Sequence, residues 1–246
     1  MIKLNHNRPT VGLREFKLRI GDCMTLKDKI VDAAYELFGL KGYEHTSVAE
    51  IIEKAGASKG GFYHHFKSKE EILETITFNY IDMIRVQYDG ILADRTLTVI
   101  EKFVESYYRL NAMKVESVKD WDKIRNLYTF KDNHILLKKM GEAFEKETAR
   151  YFKALIEQGN KLGVFDVTSP KALAALWARE VIRFQQMTRY VLFRKNLTEE
   201  DYFETLVFNE QLINHQLGLE KNTIQLRAMA DSFLASMKEQ MEGKVK

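Results

Sequence analysis

The sequence predicts an all-α fold. Only two prolines, Pro9 and Pro170, occur in 246 residues, of which 45% are hydrophobic. The helix formers Leu, Lys, Glu and Ala are abundant, and apolar residues recur at the three- and four-residue spacing of helical faces. No apolar run approaches the roughly 18 residues that a membrane span needs. We therefore expect a helical protein with one large core or two smaller ones, and no membrane segment.

Four helices are predicted at the start of the chain. They cover residues 25–41, 47–55, 58–66 and 68–88, and Gly56 ends the second of them. A Ser or Thr that can act as an N-cap stands at each start: Thr25, Ser47, Ser58 and Ser68. Glu follows Ser47 and Ser68 by three residues, which is the spacing of a capping box.

The second and third helices form a helix-turn-helix, joined by the segment "AGAS" at residues 55–58. The first helix supplies the apolar backing that a two-helix unit lacks. We expect a flexible basic arm at residues 1–24, a three-helix DNA-binding head at 25–70 and a second domain at 71–246, with the fourth helix connecting the two domains. The helices of the second domain are predicted near residues 97–107, 121–130, 137–159, 171–194, 199–217 and 222–241.

The third helix carries the residue types that contact nucleic acid. Gly60 and Gly61 let the backbone approach DNA closely, although each costs about 1 kcal/mol in helix propensity. Lys59 is placed for a base edge or a phosphate, and the ammonium of Lys69 at the start of the next helix predicts a phosphate clamp. Three side chains can hydrogen-bond phosphate oxygens or meet a thymine methyl: Tyr63, His64 and His65. Residues 54–69 contain four lysines and no acidic residue, which favours a local anion-binding patch.

Two other interpretations of this stretch were weighed. A metal site at His64 and His65 is disfavoured because adjacent helical residues point about 100° apart. No partner His or Cys stands three or four residues away. A plain helical hairpin without a nucleic-acid role remains an alternative.

Residues 30–73, "IVDAAYELFGLKGYEHTSVAEIIEKAGASKGGFYHHFKSKEEIL", resemble the head of the tetracycline-repressor-like (TetR) transcriptional regulators. The matching anchors run from the Ala-x-x-Leu-Phe of the first helix to Lys69-Glu70. Two positions depart from the pattern: Phe62 stands where Leu is commonest, and His64 where a second Tyr is frequent.

The resemblance implies that Thr46 and Ser47 contact phosphate, that the third helix meets the groove and that Lys69 contacts the DNA backbone. It also implies a homodimer on a palindromic double-stranded operator, an inducer pocket in the C-terminal helices and, usually, repression. The predicted DNA-binding set is Thr46, Ser47, Ser58, Lys59, Gly60, Gly61, Tyr63, His64, His65 and Lys69.

The pocket is predicted between the connecting helix and the helices that follow it. Aromatic residues are plentiful there, which favours an apolar or aromatic effector, although core packing explains any one of them equally simply. The predicted ligand-binding set is Phe78, Phe103, Tyr107, Asn111, Trp121, Tyr128, Phe144, Trp177, Phe184 and Gln185. The dimer seam is expected on residues 171–194 and on one of the last two helices, with 222–241 preferred. There, Leu226, Met229, Phe233, Leu234 and Met237 share an apolar face.

Enzyme functions find no support in the sequence. It contains no His-Glu-x-x-His, Gly-x-Ser-x-Gly, phosphate-loop or dinucleotide motif, so we expect no catalysis, cofactor or metal. The single cysteine, Cys23, and the lack of an apolar signal segment predict a cytoplasmic protein. The favoured function is a ligand-released repressor. A regulator of the same fold that responds to a protein partner, and a helical enzyme or scaffold, remain alternatives.

Overall fold

The computed structural model describes residues 24–117, 133–192 and 197–242. Within these ranges the chain forms nine α-helices and no strand, which confirms the predicted all-α fold. The helices are α1 Leu26–Lys41, α2 Val48–Ala55, α3 Lys59–His65, α4 Lys69–Ala93, α5 Val99–Ser117, α6 His134–Lys161, α7 Pro170–Leu192, α8 Glu199–Gln216 and α9 Arg227–Glu242. Nearly all of the predicted arm and the predicted helix at 121–130 lie outside the described residues.

The caps of the first helices are the predicted ones. The Thr25 hydroxyl accepts the backbone N–H of Asp28, whose carboxylate in turn accepts the backbone N–H of Thr25 at 3.1 Å. Ser47 and Glu50 form the same reciprocal pair at the start of α2. Gly56 ends α2 with φ of 62°, a left-handed conformation that residues with a Cβ rarely adopt. These caps satisfy backbone donors and carbonyls that helix ends leave without partners.

The chain divides into two compact units. The head unit contains residues 24–83 and 133–143, and the body unit contains residues 84–116, 144–192 and 197–242. Helices α4 and α6 are therefore each divided between the units. The first part of each helix belongs to the head unit and the rest to the body unit. The head unit extends beyond the helix-turn-helix at 25–70, and that narrower DNA-binding domain remains a prediction.

The core of the head unit is built from α1, α2, α3 and the first halves of α4 and α6. Its most deeply buried side chains are Ile30, Ala34, Phe38, Ile51, Phe62, Phe66, Ile72, Leu73 and Leu136. Leu136 shows that α6 completes this core, because a three-helix unit of this size buries little apolar surface alone.

Asn133, directly before α6, is buried completely and joins α6 to the loop after α1. Its side-chain oxygen accepts the backbone N–H of Tyr43 at 2.8 Å, and its amide donates to the carbonyl oxygen of Phe38 at 3.2 Å. One side chain thus satisfies a donor and an acceptor at the end of α1.

In the body unit, aromatic contacts tie α4, α5, α6 and α7 together. Tyr88 stacks on Tyr151 with ring centroids 4.2 Å apart, and Phe103 lies 5.4 Å from Trp177. No helix in the described ranges is both long and apolar enough to cross a membrane.

The apolar face of α9 packs inside its own chain. Leu226, Phe233, Leu234 and Met237 are all buried in the body unit. Large apolar side chains are instead exposed on α7 and α8, at Leu176, Tyr190 and Phe208. The structure therefore leaves more exposed large apolar side chains on α7 and α8 than on α9.

We predict that Asn133→Ala lowers the free energy of unfolding by about 1–3 kcal/mol, because the buried N–H of Tyr43 and the carbonyl of Phe38 lose their shared partner. Urea unfolding followed by circular dichroism measures this change. Lys138→Ala, on the exposed face of the same helix, is the matched control and should leave stability within about 0.5 kcal/mol. Equal stability of the two variants would contradict the role assigned to Asn133.

Candidate nucleic-acid interface and ligand cavity

Helix α3 buries one face in the head and exposes the other. Phe62 is completely buried, whereas the Tyr63 side chain is 50% exposed. Ser58 caps the helix by accepting the backbone N–H of Gly61 at 3.0 Å. The exposed face carries Lys59, Gly60, Tyr63 and His64, while Gly61 and His65 are partly covered. This face presents one ammonium, one phenol and one imidazole, which are suited to phosphate oxygens and base edges.

The two glycines of α3 have different surroundings. A Cβ at Gly61 would lie 3.0 Å from a methyl carbon of Leu26 and 3.1 Å from the Ser58 hydroxyl oxygen, so this position is tight because of the head itself. A Cβ at Gly60 would meet nothing within 4 Å. Packing within the described residues therefore explains why a glycine stands at position 61. It does not explain why a glycine stands at position 60.

Thr46 and Ser47 lie at the start of α2 but differ in exposure. The Thr46 hydroxyl is buried and donates to the carbonyl oxygen of Gly42 at 2.7 Å. Ser47 is exposed, and its hydroxyl takes part in the capping box with Glu50. Ser47 is thus placed at the surface, whereas the Thr46 hydroxyl holds the preceding turn together.

Lys69, the predicted phosphate clamp, already contacts the head. Its ammonium donates to the carbonyl oxygen of Tyr43 at 2.7 Å and lies 4.2 Å from the centre of the Tyr43 ring. The neighbouring Glu70 accepts the Tyr43 hydroxyl at 3.1 Å. Burial, followed by the charge of Glu70, raises the pKa of Tyr43, so its hydroxyl stays protonated and keeps donating. Since an ammonium has three N–H donors, Lys69 retains donor capacity for a phosphate.

The lysine-rich stretch 54–69 is less cationic in three dimensions than in sequence. Lys54 forms an ion pair with Glu36 of α1 at 2.9 Å. Beside it, Lys41 hydrogen-bonds Glu50 and, together with Ser47, lowers the pKa of that carboxyl to about 2. Lys59 and Lys67 are exposed as well, whereas Lys69 is partly covered.

His64 and His65 have their ring centres 4.9 Å apart on α3. Within the described residues, no three His, Cys, Asp or Glu side chains form a group that could hold a metal ion.

A cavity of about 30 Å³ lies within the body unit, between α5, α6, α7, α8 and the residues before α9. Its wall includes six side chains of the predicted ligand-binding set: Phe103, Tyr107, Asn111, Trp177, Phe184 and Gln185. Phe144 is buried in the body unit away from this wall, and Phe78 is 61% exposed on the head half of α4. Trp121 and Tyr128 lie outside the described residues.

Sequence reasoning missed several wall residues, among them Ser106, Phe152, Val181, Thr188, Tyr202 and Leu226. Tyr202 matters most, because its hydroxyl lies 3.3 Å from that of Tyr107. The available signal was the helical spacing of Tyr202, Leu206 and Ile213, which marks the buried face of α8.

In comparisons with known proteins, the sequence of the head matches a family model. Residues 30–76 match the family model described as bacterial regulatory proteins, tetR family. The chain is 34% identical over 76 residues to the HTH-type transcriptional repressor KstR2 of Mycolicibacterium smegmatis, which covers 31% of this chain and 37% of that protein. It is 49% identical over 49 residues to the HTH-type transcriptional regulator QacR of Staphylococcus aureus, covering 20% of this chain and 26% of that protein. The matches thus span well under two thirds of these relatives.

Solved structures match over most of the chain. The SmeT–triclosan complex has a TM-score of 0.60 at 16% identity and covers 82% of this chain and 95% of its own. A putative TetR-family transcriptional regulator from Syntrophomonas wolfei has a TM-score of 0.55 at 22% identity and covers 76% and 94%. At these identities the likeness establishes a shared fold.

We predict that Gly60→Ala weakens binding to a DNA site selected from a random duplex pool by about tenfold to a hundredfold, the effect of about 1–3 kcal/mol of overpacking against DNA. The variant should unfold at the same or a slightly higher urea concentration, because the added Cβ meets no protein atom and Ala is the better helix former.

Gly61→Ala is the comparison, because crowding against Leu26 should lower its stability. Fluorescence anisotropy and urea unfolding on both variants separate the two effects. Unchanged DNA binding by a fully folded Gly60→Ala protein would show that this face of α3 does not approach DNA.

Proposed function

We propose that this chain, a member of the tetR family of bacterial regulatory proteins through residues 30–76, is a DNA-binding transcriptional regulator. We further propose that it is a repressor that binds a palindromic operator as a homodimer and is released by a small apolar or aromatic ligand. No enzyme activity is part of this proposal.

The observation that carries the proposal is the exposed face of α3. A glycine with empty space around it stands between Lys59 and the Tyr63–His64 pair, on a helix held rigidly by Phe62 and the Ser58 cap. In a helix-turn-helix the second helix enters the major groove with its N-terminal residues on the base edges. A glycine there allows the close approach of the helix backbone to DNA, for which the protein interior supplies no other reason.

Homodimerisation follows from the length of this helix and from the body surface. A seven-residue helix reaches few base pairs, so two copies on a palindrome supply the affinity that one head lacks. Leu176 on α7 and Phe208 on α8 are 47% and 61% exposed, so both apolar side chains are available to an interface. We assign the dimer surface to these two helices.

The cavity supports ligand control, because its wall is mostly aromatic and aliphatic with a few polar groups, as in small-molecule sites. Its small volume means that a ligand must displace the wall. One wall residue, Phe152, belongs to α6, and its neighbour Tyr151 stacks on Tyr88 of α4. Displacement of this wall therefore acts on the two helices that also contribute to the head unit.

Further contacts hold α4 and α6 together in the body unit. Arg150 donates to Asp89 at 2.6 Å, and Arg85 lies 3.4 Å from the buried carboxylate of Glu147. The Tyr88 and Thr148 hydroxyls lie 3.2 Å apart. We infer that the two helices respond to a ligand as a pair, which provides the shared two-state element that coupling requires.

The small volume of the cavity also favours an alternative. A tetR-fold regulator controlled by a protein partner would have no need for a larger cavity, and about 30 Å³ holds only about two water molecules. The two candidates are distinguished by whether a ligand binds free protein and operator-bound protein with different affinities.

We predict that the double substitution Leu176→Glu, Phe208→Glu converts the protein into a monomer, because an unpaired charge buried at an interface costs about 2–5 kcal/mol. Sedimentation velocity should then report a species near 28.8 kDa in place of the dimer. The control is Leu162→Glu, which changes a leucine just after α6 that is 64% exposed. A double variant that stayed dimeric would move the interface away from α7 and α8.

We predict that a ligand found by thermal-shift screening of aromatic compounds binds operator-bound protein more weakly than free protein. By thermodynamic reciprocity, the operator must weaken ligand binding by the same factor by which the ligand weakens operator binding. A change from nearly full to nearly empty operator occupancy requires the ligand to bind the two states of the protein with free energies that differ by about 5 kcal/mol. Isothermal titration with and without operator measures the factor.

Gly60→Ala protein is the control, at a DNA concentration that saturates wild-type protein and leaves this variant largely free, and its ligand affinity should change less on addition of DNA. Equal ligand affinities for free and operator-bound wild-type protein would refute ligand control and favour the protein-partner alternative.

A further inference from the structure

The wall of the body-unit cavity carries no formal charge. Among the described residues that line it, no side chain is that of Asp, Glu, Lys, Arg or His. An ion moved into such a site loses its hydration without gaining a partner of opposite charge, which disfavours it strongly. The cavity is therefore chemically selective for neutral molecules.

One carboxylate that interacts with the wall residue Tyr107 is already engaged. Glu210 of α8 accepts the backbone N–H of Arg227 at 2.8 Å and also that of Leu226, so it caps the start of α9. A cationic ligand would have to compete with two backbone donors for this carboxylate. The wall thus gives a cation no available counter-charge.

Two of the hydroxyls in the wall are occupied by their own helices. Ser106 donates to the carbonyl oxygen of Phe103 at 2.7 Å, and Thr188 donates to that of Phe184 at 2.9 Å. Their protons are therefore used within the helices that carry them, which is common for helical Ser and Thr.

The Tyr107 and Tyr202 hydroxyls have more capacity. Their oxygens lie 3.3 Å apart, so one hydroxyl donates to the other, and the pair as a whole keeps a second proton and further lone pairs. Burial, with a smaller contribution from Tyr202, raises the pKa of Tyr107 well above its usual range. Tyr107 therefore stays neutral, and the two hydroxyls together are able both to donate to and to accept from a hydroxyl group.

An aromatic surface forms another part of the same wall. The Phe103 ring lies 5.0 Å from that of Phe152 and 5.4 Å from that of Trp177, and Phe152 and Trp177 are 6.3 Å apart. Offset and edge-on contacts at such distances are favourable for a further flat ring.

We propose that the effector of this protein is an electrically neutral aromatic molecule bearing a hydroxyl group. Its ring lies on the Phe103–Phe152–Trp177 cluster and its hydroxyl bonds to the Tyr107–Tyr202 pair. This inference rests on the proposed ligand control, since it names the ligand class of that site. The proposed function specifies only an apolar or aromatic ligand, whereas the wall adds the exclusion of ions and the requirement for one polar group.

Four probes that share a 4-methylphenyl group test the proposal: 4-methylphenol, toluene, 4-methylbenzoate and 4-methylbenzylammonium. Binding is followed by the fluorescence of Trp177 in a Trp121→Phe background, which leaves one tryptophan in the chain. The phenol should bind about tenfold more tightly than toluene, as expected for one net hydrogen bond. Both ions should bind at least about a hundredfold more weakly than the phenol, because their charges would be buried without partners.

Tyr202→Phe removes one hydroxyl of the pair and should reduce the phenol-to-toluene affinity ratio, with toluene itself unaffected, whereas the Tyr107 hydroxyl remains. Tyr190→Phe, at an exposed tyrosine of α7, is the matched control and should preserve the phenol-to-toluene ratio. The change in this ratio between the two variants isolates the hydroxyl contact from any general loss of packing.

Three results would overturn the proposal: ions that bind as tightly as the phenol, a ratio that Tyr202→Phe leaves unchanged, or no binding by any of the four probes. The proposed regulatory function has a separate readout. If 4-methylbenzoate or the ammonium compound released DNA, ligand control would stand and the neutral-ligand inference would fall. If the ligand-free protein bound no DNA site, the regulatory function itself would fail.

Discussion

The head of this protein is organised around Tyr43, whose polar groups and ring each contact a different part of the fold. Its backbone N–H donates to Asn133, its carbonyl oxygen accepts from Lys69, and its hydroxyl donates to Glu70. Its ring meets the edge of Phe38 with centroids 5.0 Å apart. The loop between α1 and α2 is thus held by α4 and by the residue that precedes α6. Because α2 and α3 follow this loop, the orientation of the α3 face depends on it.

Ion pairing determines which charges remain for a nucleic acid. The stretch 54–69 lacks acidic residues, yet α1 supplies Glu36 to Lys54, and backbone carbonyls engage Lys69. Lys59 and Lys67 are also exposed, and Lys59 directly precedes the open backbone of Gly60. The candidate interface is therefore a small feature defined by shape and by a few donors. A broad cationic surface would predict weak discrimination between DNA sequences, whereas shape and specific donors allow base readout.

The cavity and the paired helices α4 and α6 are better suited to a ligand-controlled conformational switch than to a rigid, preformed ligand site. A preformed large pocket would accept a ligand without movement. A cavity of about 30 Å³ admits a larger molecule only if its wall moves, so under the proposed ligand control the binding energy is coupled to displacement of Phe152 and its neighbours. The Tyr88–Tyr151 stack and the Arg150–Asp89 pair then prevent α6 from moving without α4.

The sequence alone determined the helical class, the caps and the family resemblance. The two capping boxes each join residues three positions apart, Thr25 with Asp28 and Ser47 with Glu50. Gly56 ends α2 through its own left-handed backbone conformation. Such features depend on local geometry, which a short window of sequence specifies.

Only the tertiary structure decided which distant groups meet. Asn133 reaches Tyr43 across 90 residues, and Tyr107 reaches Tyr202 across 95. On α6, Phe144 and Phe152 are both buried, yet only Phe152 lines the cavity. Periodicity identifies a buried face, but the neighbour on that face depends on how all the helices pack, because each long-range contact forms only when many others form with it.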